Sequence, residues 1–220
     1  MEITAYLDDL IDRYPVLGTI RGELERGYSL LESCYAGGHK LLIAGNGGSA
    51  SDAEHITGEL MKSFCLRRPV SPEMKRRLEQ ADPELGAELA RNLEGALPTV
   101  ALVTHEALSA AYLNDRDPYG VFAQQVYGLG KPGDVFLGIT TSGNSKNILK
   151  AAVVARAMDM KVLALTGGTG GRLAGLAHVA VKAPSAVTHR IQELHLPIYH
   201  CWCAMLEERF FGGTANREVR

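Results

Sequence analysis

The sequence lacks an excess of either charge, because 23 Lys and Arg are set against 25 Asp and Glu. A net charge of −2 leaves no electrostatic footprint for nucleic acid, so a phosphorylated ligand would have to be held by local geometry and not by a general positive field. The chain also lacks a run of roughly 18 apolar residues, the length that spans a membrane. Its acidic, amphipathic start is unlike a secretory signal. We expect a cytoplasmic protein without nucleic-acid or membrane partners.

The four cysteines do not have the spacing of a metal site. Cys34, Cys65, Cys201 and Cys203 include no CxxC pair, and the last two fall in an apolar run with helical spacing. We therefore interpret all four as reduced structural residues, which agrees with a cytoplasmic location, where thiols stay reduced. The loop TTSGNS at 140–145 resembles neither the Walker pattern, which needs Gly-Lys-Ser/Thr, nor the dinucleotide fingerprint.

The apolar pattern predicts one α/β domain, in keeping with a length of 220 residues. The short run 40–44 passes directly into GNGGSAS and a helical segment over about 52–64. A second run, 134–139, passes into TTSGNS and a helix over about 146–158. Strand, glycine-rich turn and helix form the repeating unit of a parallel sheet. We predict a three-layer α/β/α sandwich with a five-stranded, mainly parallel sheet, its strands at 40–44, 99–103, 134–139, 161–165 and 179–182.

Helical spacing assigns residues 1–36 to N-terminal helices that belong to the same domain, with a break near Pro15 and Gly18. The main domain then covers 37–211 and ends with a long helix, and 212–220 is a tail. The stretch at about 69–97 is charged and bounded by prolines, and it predicts an inserted helical lobe. Two interpretations of the lobe stay open: a lid over a site, or a solvated excursion without a role in chemistry.

The loop TTSGNS at 140–145 is a candidate phosphate site. Backbone N–H groups at the start of a helix are unpaired and carry a positive partial charge, so they bind anions. Gly143 would let the backbone approach a phosphate closely. Helix capping is the competing interpretation, but a cap ordinarily needs one hydroxyl, and this loop has four: Thr140, Thr141, Ser142 and Ser145.

The first loop, Gly45–Ser49, would lie at the same sheet edge, because ligands of open parallel sheets bind beyond the carboxyl ends of the strands. In the helix that follows, His55 and Glu59 are spaced i, i+4 and share one face. Such a pair can ligate a divalent metal or place a base beside its orienting partner. A surface hydrogen bond is the alternative.

The last helix carries Gln192, His195 and His200 within RIQELHLPIYH. Gln192 and His200 are separated by about 80° around an ideal helix, so they can face the same side. Pro197 removes a backbone donor between them and predicts a kink. From this pattern alone, His195 and His200 could each be a core residue or a capping residue.

Taken together, GNGGSASDAEHITGEL, TTSGNS, LALTGG and HRIQELHLPIYH resemble the sugar isomerase (SIS) domain family, and within it the phosphoheptose isomerases. The similarity covers about 40–66 and 99–208. It implies an aldose–ketose isomerase that converts sedoheptulose 7-phosphate to D-glycero-D-manno-heptose 7-phosphate through an enediol, with metal assistance. It also implies a homotetramer whose active sites lie at subunit interfaces.

The resemblance further implies roles for matching positions. The zinc ligands would be His55, Glu59, Gln192 and His200, and Glu59 and His200 would also be the catalytic proton-transfer pair. The substrate would be bound by Asn46, Gly47, Gly48, Ser49, Asn114, Asp115 and Gln192 around the sugar and by Thr140, Thr141, Ser142 and Ser145 around the phosphate.

Three features depart from the family pattern. The segment 69–97 is longer than usual, His189 stands where an acid usually precedes Arg-Ile-Gln-Glu, and Gly58 replaces a common second acid beside Glu59. Two other functions stay open. One is a non-catalytic SIS protein of the kind that binds the replication initiator, which lacks the acid and histidine that match Glu59 and His200. The other is an SIS enzyme or regulator for another sugar phosphate, which would keep the phosphate loop but need no metal ligands.

Overall fold

The computed structural model describes residues 3–213. Most of the predicted tail, 214–220, lies outside this range. In chain order the elements are α1 (Ile3–Arg13), a 3-10 helix (Pro15–Ile20), α2 (Arg21–Ala36), β1 (Leu41–Ala44), α3 (Gly48–Met61), α4 (Pro72–Ala81), α5 (Pro83–Asn92), β2 (Thr99–Ala101), α6 (Glu106–Asp115), α7 (Val121–Leu129), β3 (Val135–Thr140), α8 (Lys146–Ala157), β4 (Lys161–Gly167), α9 (Gly171–Leu176), β5 (Val179–Ala183) and α10 (Thr188–Phe211).

The five strands form one sheet in the order β2-β1-β3-β4-β5, and every pairing among them is parallel. This confirms the predicted α/β class. In register, Leu41 of β1 lies between Thr99 of β2 and Val135 of β3. Because β1 and β3 are neighbours, the loops that follow them lie side by side at the carboxyl edge of the sheet.

Side chains along each strand alternate between two cores, as a pleated strand requires. Leu41 and Ile43 pack into a core shared with α1, α2, α3 and α10. Leu42 and Ala44 pack into a second core shared with α7, α8 and α9. Trp202 of α10 links that helix to α2 within the first core, because its indole N–H donates to the Leu24 carbonyl at 3.0 Å. The sheet is therefore covered on both faces.

The helices differ from the sequence prediction in two main respects. α3 begins at Gly48, four residues earlier than expected. Gly47, at φ +56°, reverses the backbone direction within one residue, so the helix can start directly after it. α6 and α7, between β2 and β3, were not predicted; α6 buries none of its residues and so has no apolar periodicity to detect. α10 continues as a helix through Pro197.

The segment 69–97 contains α4 and α5, which pack on each other. Ser71 and Asp82 cap the two helices, and a Cβ on Gly86 would lie 2.1 Å from the Leu78 carbonyl oxygen, so the helices cross closely. The hairpin is tethered to the end of α3, because the backbone N–H of Ser63 donates to the Glu94 carboxylate at 2.9 Å.

All four cysteines are free thiols; Cys65 is exposed and the other three are buried. Burial raises the pKa of the Cys34 and Cys201 thiols to about 12. Over the described range, no helix combines the length and apolarity that a bilayer crossing requires.

Candidate active site

The loop between β3 and α8 closes on itself through its own hydroxyls. The side-chain oxygens of Thr140 and Ser145 lie 2.9 Å apart. Ser145 occupies the N-cap position of α8, yet within the described structure its side chain makes no capping hydrogen bond. Helix capping by Ser145 therefore does not explain the hydroxyls of this loop.

The turn after β4, TGGTGG at 166–171, packs against the loop at 140–145 and hydrogen-bonds to it. The N–H of Gly167 donates to the Thr141 carbonyl at 3.0 Å, and the N–H of Leu173 donates to the Gly143 carbonyl at 3.0 Å. Gly143 has a φ of +68°, and a Cβ there would lie 2.0 Å from the Gly170 carbonyl oxygen. Only glycine at this position lets the two loops pack together.

A cavity of about 250 Å³ opens beside the loop. Since one water occupies about 30 Å³ of liquid, it has room for a phosphoryl group. Two of the residues predicted to bind the phosphate, Thr141 and Ser142, line it. Three hydroxyl residues that the sequence analysis did not single out, Thr169, Ser185 and Thr188, line it as well. The available signal was that all three follow β4 or β5 at the same sheet edge. A larger cavity, about 890 Å³ between α6 and α9, contains none of the predicted site residues.

The first loop contacts both α8 and α10. The Asn46 side-chain amide exchanges two hydrogen bonds with that of Asn147, at 3.1 and 2.8 Å. A Cβ on Gly48 would lie 2.7 Å from the Gln192 side-chain nitrogen, so Gln192 lies directly against this loop. Ser49 is only 3% exposed, which places its hydroxyl in the interior.

One helical layer brings His55, Glu59 and His200 together. His55 Nε2 lies 3.3 Å from Glu59 Oε1 and 3.4 Å from His200 Nε2. α3 supplies the first two residues and α10 the third, so His55 and His200, 145 residues apart in sequence, come into contact. Tyr199 packs against His55, with its hydroxyl 3.0 Å from His55 Nδ1.

Partial burial sets the protonation of this cluster. Desolvation lowers the pKa of His200, the nearby His55 adds to the lowering, and the Glu59 carboxylate opposes it. The His200 imidazole is consequently neutral at pH 7, which leaves a lone pair on one nitrogen. Burial raises the pKa of Asp52 and of Tyr199, which hydrogen-bond each other behind His55.

The donor set is chemically suited to a zinc ion. With Zn–N bonds of about 2.0–2.1 Å, neighbouring ligands of a tetrahedral zinc ion lie about 3.3 Å apart, close to the 3.3 and 3.4 Å separations at His55. As the side chains stand, no three or more His, Cys, Asp or Glu between residues 3 and 213 converge on one metal position.

The remaining predicted residues lie elsewhere. Gln192 lies against Gly48, seven residues and about 10 Å of helix rise before His55, and within the described structure no hydrogen bond joins it to the cluster. Its role as a fourth ligand stays a prediction. Asn114 and Asp115 end α6, are exposed, and hydrogen-bond each other at 2.9 Å, outside the lining of the 250 Å³ cavity.

His195 is a core residue. Its side chain is fully buried, and Nε2 lies 3.2 Å from the Thr166 carbonyl oxygen. Desolvation lowers its pKa to about 4, so the ring is neutral. Of the two histidines that the sequence left undecided, only His200 faces the cluster.

A buried ion pair at the end of α3 has no counterpart in the sequence analysis. Arg68 Nε lies 2.6 Å from Glu207 Oε1, and both side chains are fully buried. The same guanidinium donates to the backbone carbonyls of Glu59 and Leu60 at 2.9 Å. Arg68 thereby fixes the helix turn that carries Glu59. Because 139 residues separate Arg68 and Glu207 in sequence, no local sequence pattern could predict this ion pair.

Comparison with known proteins identifies relatives over most of the chain. Residues 83–167 match the SIS domain family. The chain is 38% identical over 191 residues to the phosphoheptose isomerase of Shewanella denitrificans, a match that covers 86% of this chain and 84% of that one. Among solved structures, phosphoheptose isomerase GmhA from Neisseria gonorrhoeae matches with a TM-score of 0.69, 31% identity and coverage of 93% and 97%. A phosphoheptose isomerase from Francisella tularensis matches with a TM-score of 0.71, 30% identity and coverage of 94% and 97%.

Proposed function

The chain belongs to the phosphoheptose isomerase family of SIS-domain enzymes, and on that premise we propose that it converts sedoheptulose 7-phosphate to D-glycero-D-manno-heptose 7-phosphate with the help of a zinc ion. The family supports the general reaction, aldose–ketose isomerisation of a sugar phosphate. The observation that carries the specific proposal is the contact of His55 with both Glu59 and His200. An initiator-binding SIS protein would need neither the acid nor the second histidine.

Isomerisation moves a proton between adjacent sugar carbons through an enediol. In this reaction Glu59, as a carboxylate, abstracts the carbon-bound proton, and the neutral His200 imidazole carries the oxygen-bound one. When bound by His55, Glu59, His200 and Gln192, a zinc ion would polarise the substrate carbonyl. His55 lies between Glu59 and His200 and helps to position both, because its Nε2 is within 3.4 Å of each.

The phosphate is the natural anchor of the substrate. The loop at 140–145 offers hydroxyls, and the start of α8 offers N–H groups that favour an anion. Binding energy gained at this remote group can be used to orient the reacting carbons. The hydroxyls of Thr169, Ser185 and Thr188 on the cavity wall are further contacts for the phosphoryl oxygens.

The length of α10 favours a site shared between subunits. Thr188 lines the phosphate cavity, and His200 lies twelve residues later, about 18 Å along the helix axis. An extended heptose 7-phosphate, with eight bonds from C1 to phosphorus, is about 10 Å long. We therefore propose that the cavity of one protomer faces the cluster of another, within the homotetramer that the SIS resemblance implies. Because a phosphorylated sugar is charged and retained inside cells, we also propose a cytoplasmic location.

The test is replacement of Glu59 by Gln. Because a general base typically contributes 10²–10⁴-fold, we expect kcat on sedoheptulose 7-phosphate to fall by about that factor, while calorimetry with the same sugar phosphate shows largely retained binding. Glu54→Gln is the matched control, since Glu54 is exposed on the same helix and should retain full activity. Undiminished turnover in Glu59→Gln would remove Glu59 from the mechanism.

A panel of sugar phosphates, each assayed with added zinc or with chelator, tests the remaining parts. We expect the seven-carbon ketose phosphate to be turned over fastest and the chelator to abolish turnover. Preference for another sugar phosphate would redirect the substrate assignment. Full activity of metal-depleted protein would contradict the zinc proposal.

A further inference from the structure

Tyr199 is not part of the proposed reaction, yet it links the cluster to a second carboxylate. It is 1% exposed, and its hydroxyl lies 3.0 Å from His55 Nδ1 and 3.2 Å from Asp52 Oδ1. Asp52 precedes His55 by three residues on α3, so both project from the same face of that helix. The three side chains form a chain of hydrogen bonds that ends at the ring of His55.

The hydrogen bonds among Asp52, Tyr199 and His55 have one consistent direction. A phenol carries a single proton, and an ionised carboxylate can only accept, so the Tyr199 hydroxyl donates to Asp52. The tyrosine oxygen is then left to accept a proton from His55 Nδ1. Asp52 Oδ2 is buried and has no hydrogen-bond partner among the residues that the structure describes, which leaves Tyr199 as the side chain that compensates this carboxylate.

We propose that Asp52 and Tyr199 are positioning residues. They fix His55 with its proton on Nδ1, against the attraction of the Glu59 carboxylate for a proton on Nε2, and so keep the Nε2 lone pair available to a metal ion bound between His55, Glu59 and His200. Nε2 is the atom that lies 3.3 Å from the Glu59 carboxylate and 3.4 Å from His200 Nε2. With the proton on Nε2 instead, the ring would present a hydrogen to the cluster and could bind no metal ion through that atom. The ring of Tyr199 also restrains the ring of His55 by edge-to-face packing, with centroids 5.5 Å apart.

The tautomer can be measured without any metal. In metal-free protein with ¹⁵N-labelled histidine at pH 8, long-range ¹H–¹⁵N correlation spectra distinguish a protonated Nδ1 from a protonated Nε2. A His55→Asn variant assigns the His55 signals. We expect wild-type His55 to carry its proton on Nδ1. In Tyr199→Phe the acceptor is gone, and we expect a mixture of the two tautomers.

Asp52→Ala tests the direction of the hydrogen bonds. It keeps the Tyr199 hydroxyl but frees its proton to be donated to His55 Nδ1, so we expect the population to shift toward Nε2–H. Tyr35→Phe is the matched control, because it also removes a buried tyrosine hydroxyl, one that lies 2.8 Å from Thr99 Oγ1 and far from the cluster in sequence. This control should lose some stability and leave the His55 spectrum unchanged.

The consequence for metal binding rests on the proposed function and has a separate readout. Groups that orient a metal-binding histidine typically contribute 10–100-fold to metal affinity, so we expect zinc affinity, measured by competition with a chromogenic chelator, to fall by about that factor in Tyr199→Phe and not in Tyr35→Phe. Wild-type His55 protonated on Nε2, or a tautomer unchanged in both Tyr199→Phe and Asp52→Ala, would overturn the proposal. A fixed Nδ1–H tautomer in wild-type protein that binds no zinc would support the positioning role and overturn the metal part of the proposed function.

Discussion

Replacement of Glu207 by Gln should destabilise the protein strongly, although it changes one atom. The carboxylate accepts four hydrogen bonds: Oε1 from Phe64 N–H and Arg68, Oε2 from Cys65 and Leu66 N–H, all at 2.6–3.0 Å. In the amide, whichever way it is turned, two of these donors face an NH₂ group. Both partners of the ion pair are fully buried, so the Arg68 charge also loses its compensation.

The size of the effect follows from these contacts. Each buried donor left without an acceptor costs about 1–3 kcal/mol, and breaking a buried ion pair by removing one partner costs about 3–5 kcal/mol in total. For a chain of this length, 1 kcal/mol shifts Tm by about 2–4 °C. The expected fall in Tm is therefore roughly 6–20 °C. Arg68→Met should be similarly costly, and the double variant should cost less than the sum of the two, because the sites are coupled.

Thermal unfolding followed by circular dichroism measures the effect. The matched control is Glu73→Gln, which breaks the Arg77–Glu73 pair on α4, whose side chains are 67% and 62% exposed. An exposed pair contributes about 0–1 kcal/mol, so Tm should barely move. A Tm for Glu207→Gln as close to wild type as that of the control would refute the reasoning that burial makes this pair indispensable.

Three further predictions follow from the site and the core. Gly143→Ala should raise the KM for the sugar phosphate, because the new Cβ clashes with the neighbouring loop, whereas Gly175→Ala, where a Cβ meets nothing within 4 Å, should behave as wild type in the same assay. His195 has a folded pKa of about 4 against an ordinary 6.5, so its contribution is present above pH 6.5 and lost as pH falls to 4; denaturant titrations should show about 3 kcal/mol more acid destabilisation in wild type than in His195→Gln. Mixing inactive Ser142→Asp and Glu59→Gln protomers should restore about a quarter of wild-type activity if sites are shared between subunits, and none if each site lies within one chain.

Local sequence determined the elements of the fold and the loops that end its strands. Short apolar runs predicted all five strands, because a buried parallel strand is continuously apolar. Three of the runs, those of β1, β3 and β4, pass into glycine-containing turns, which give the backbone the freedom to turn. The same local pattern singled out the loop at 140–145 as a candidate phosphate site. The local pattern failed to predict α6. None of the residues of that helix is buried, so its sequence has no apolar periodicity that would indicate a helix.

The tertiary structure decided which side chains meet. His195 and His200 are five residues apart, about 140° around α10, and the sequence could not tell which one enters the core. The packing of α10 against β4 buries His195, and its packing against α3 brings His200 to His55. Arg68 and Glu207 likewise find each other only when distant segments pack. Periodicity reports burial within one helix, whereas contacts between helices depend on how the whole chain packs.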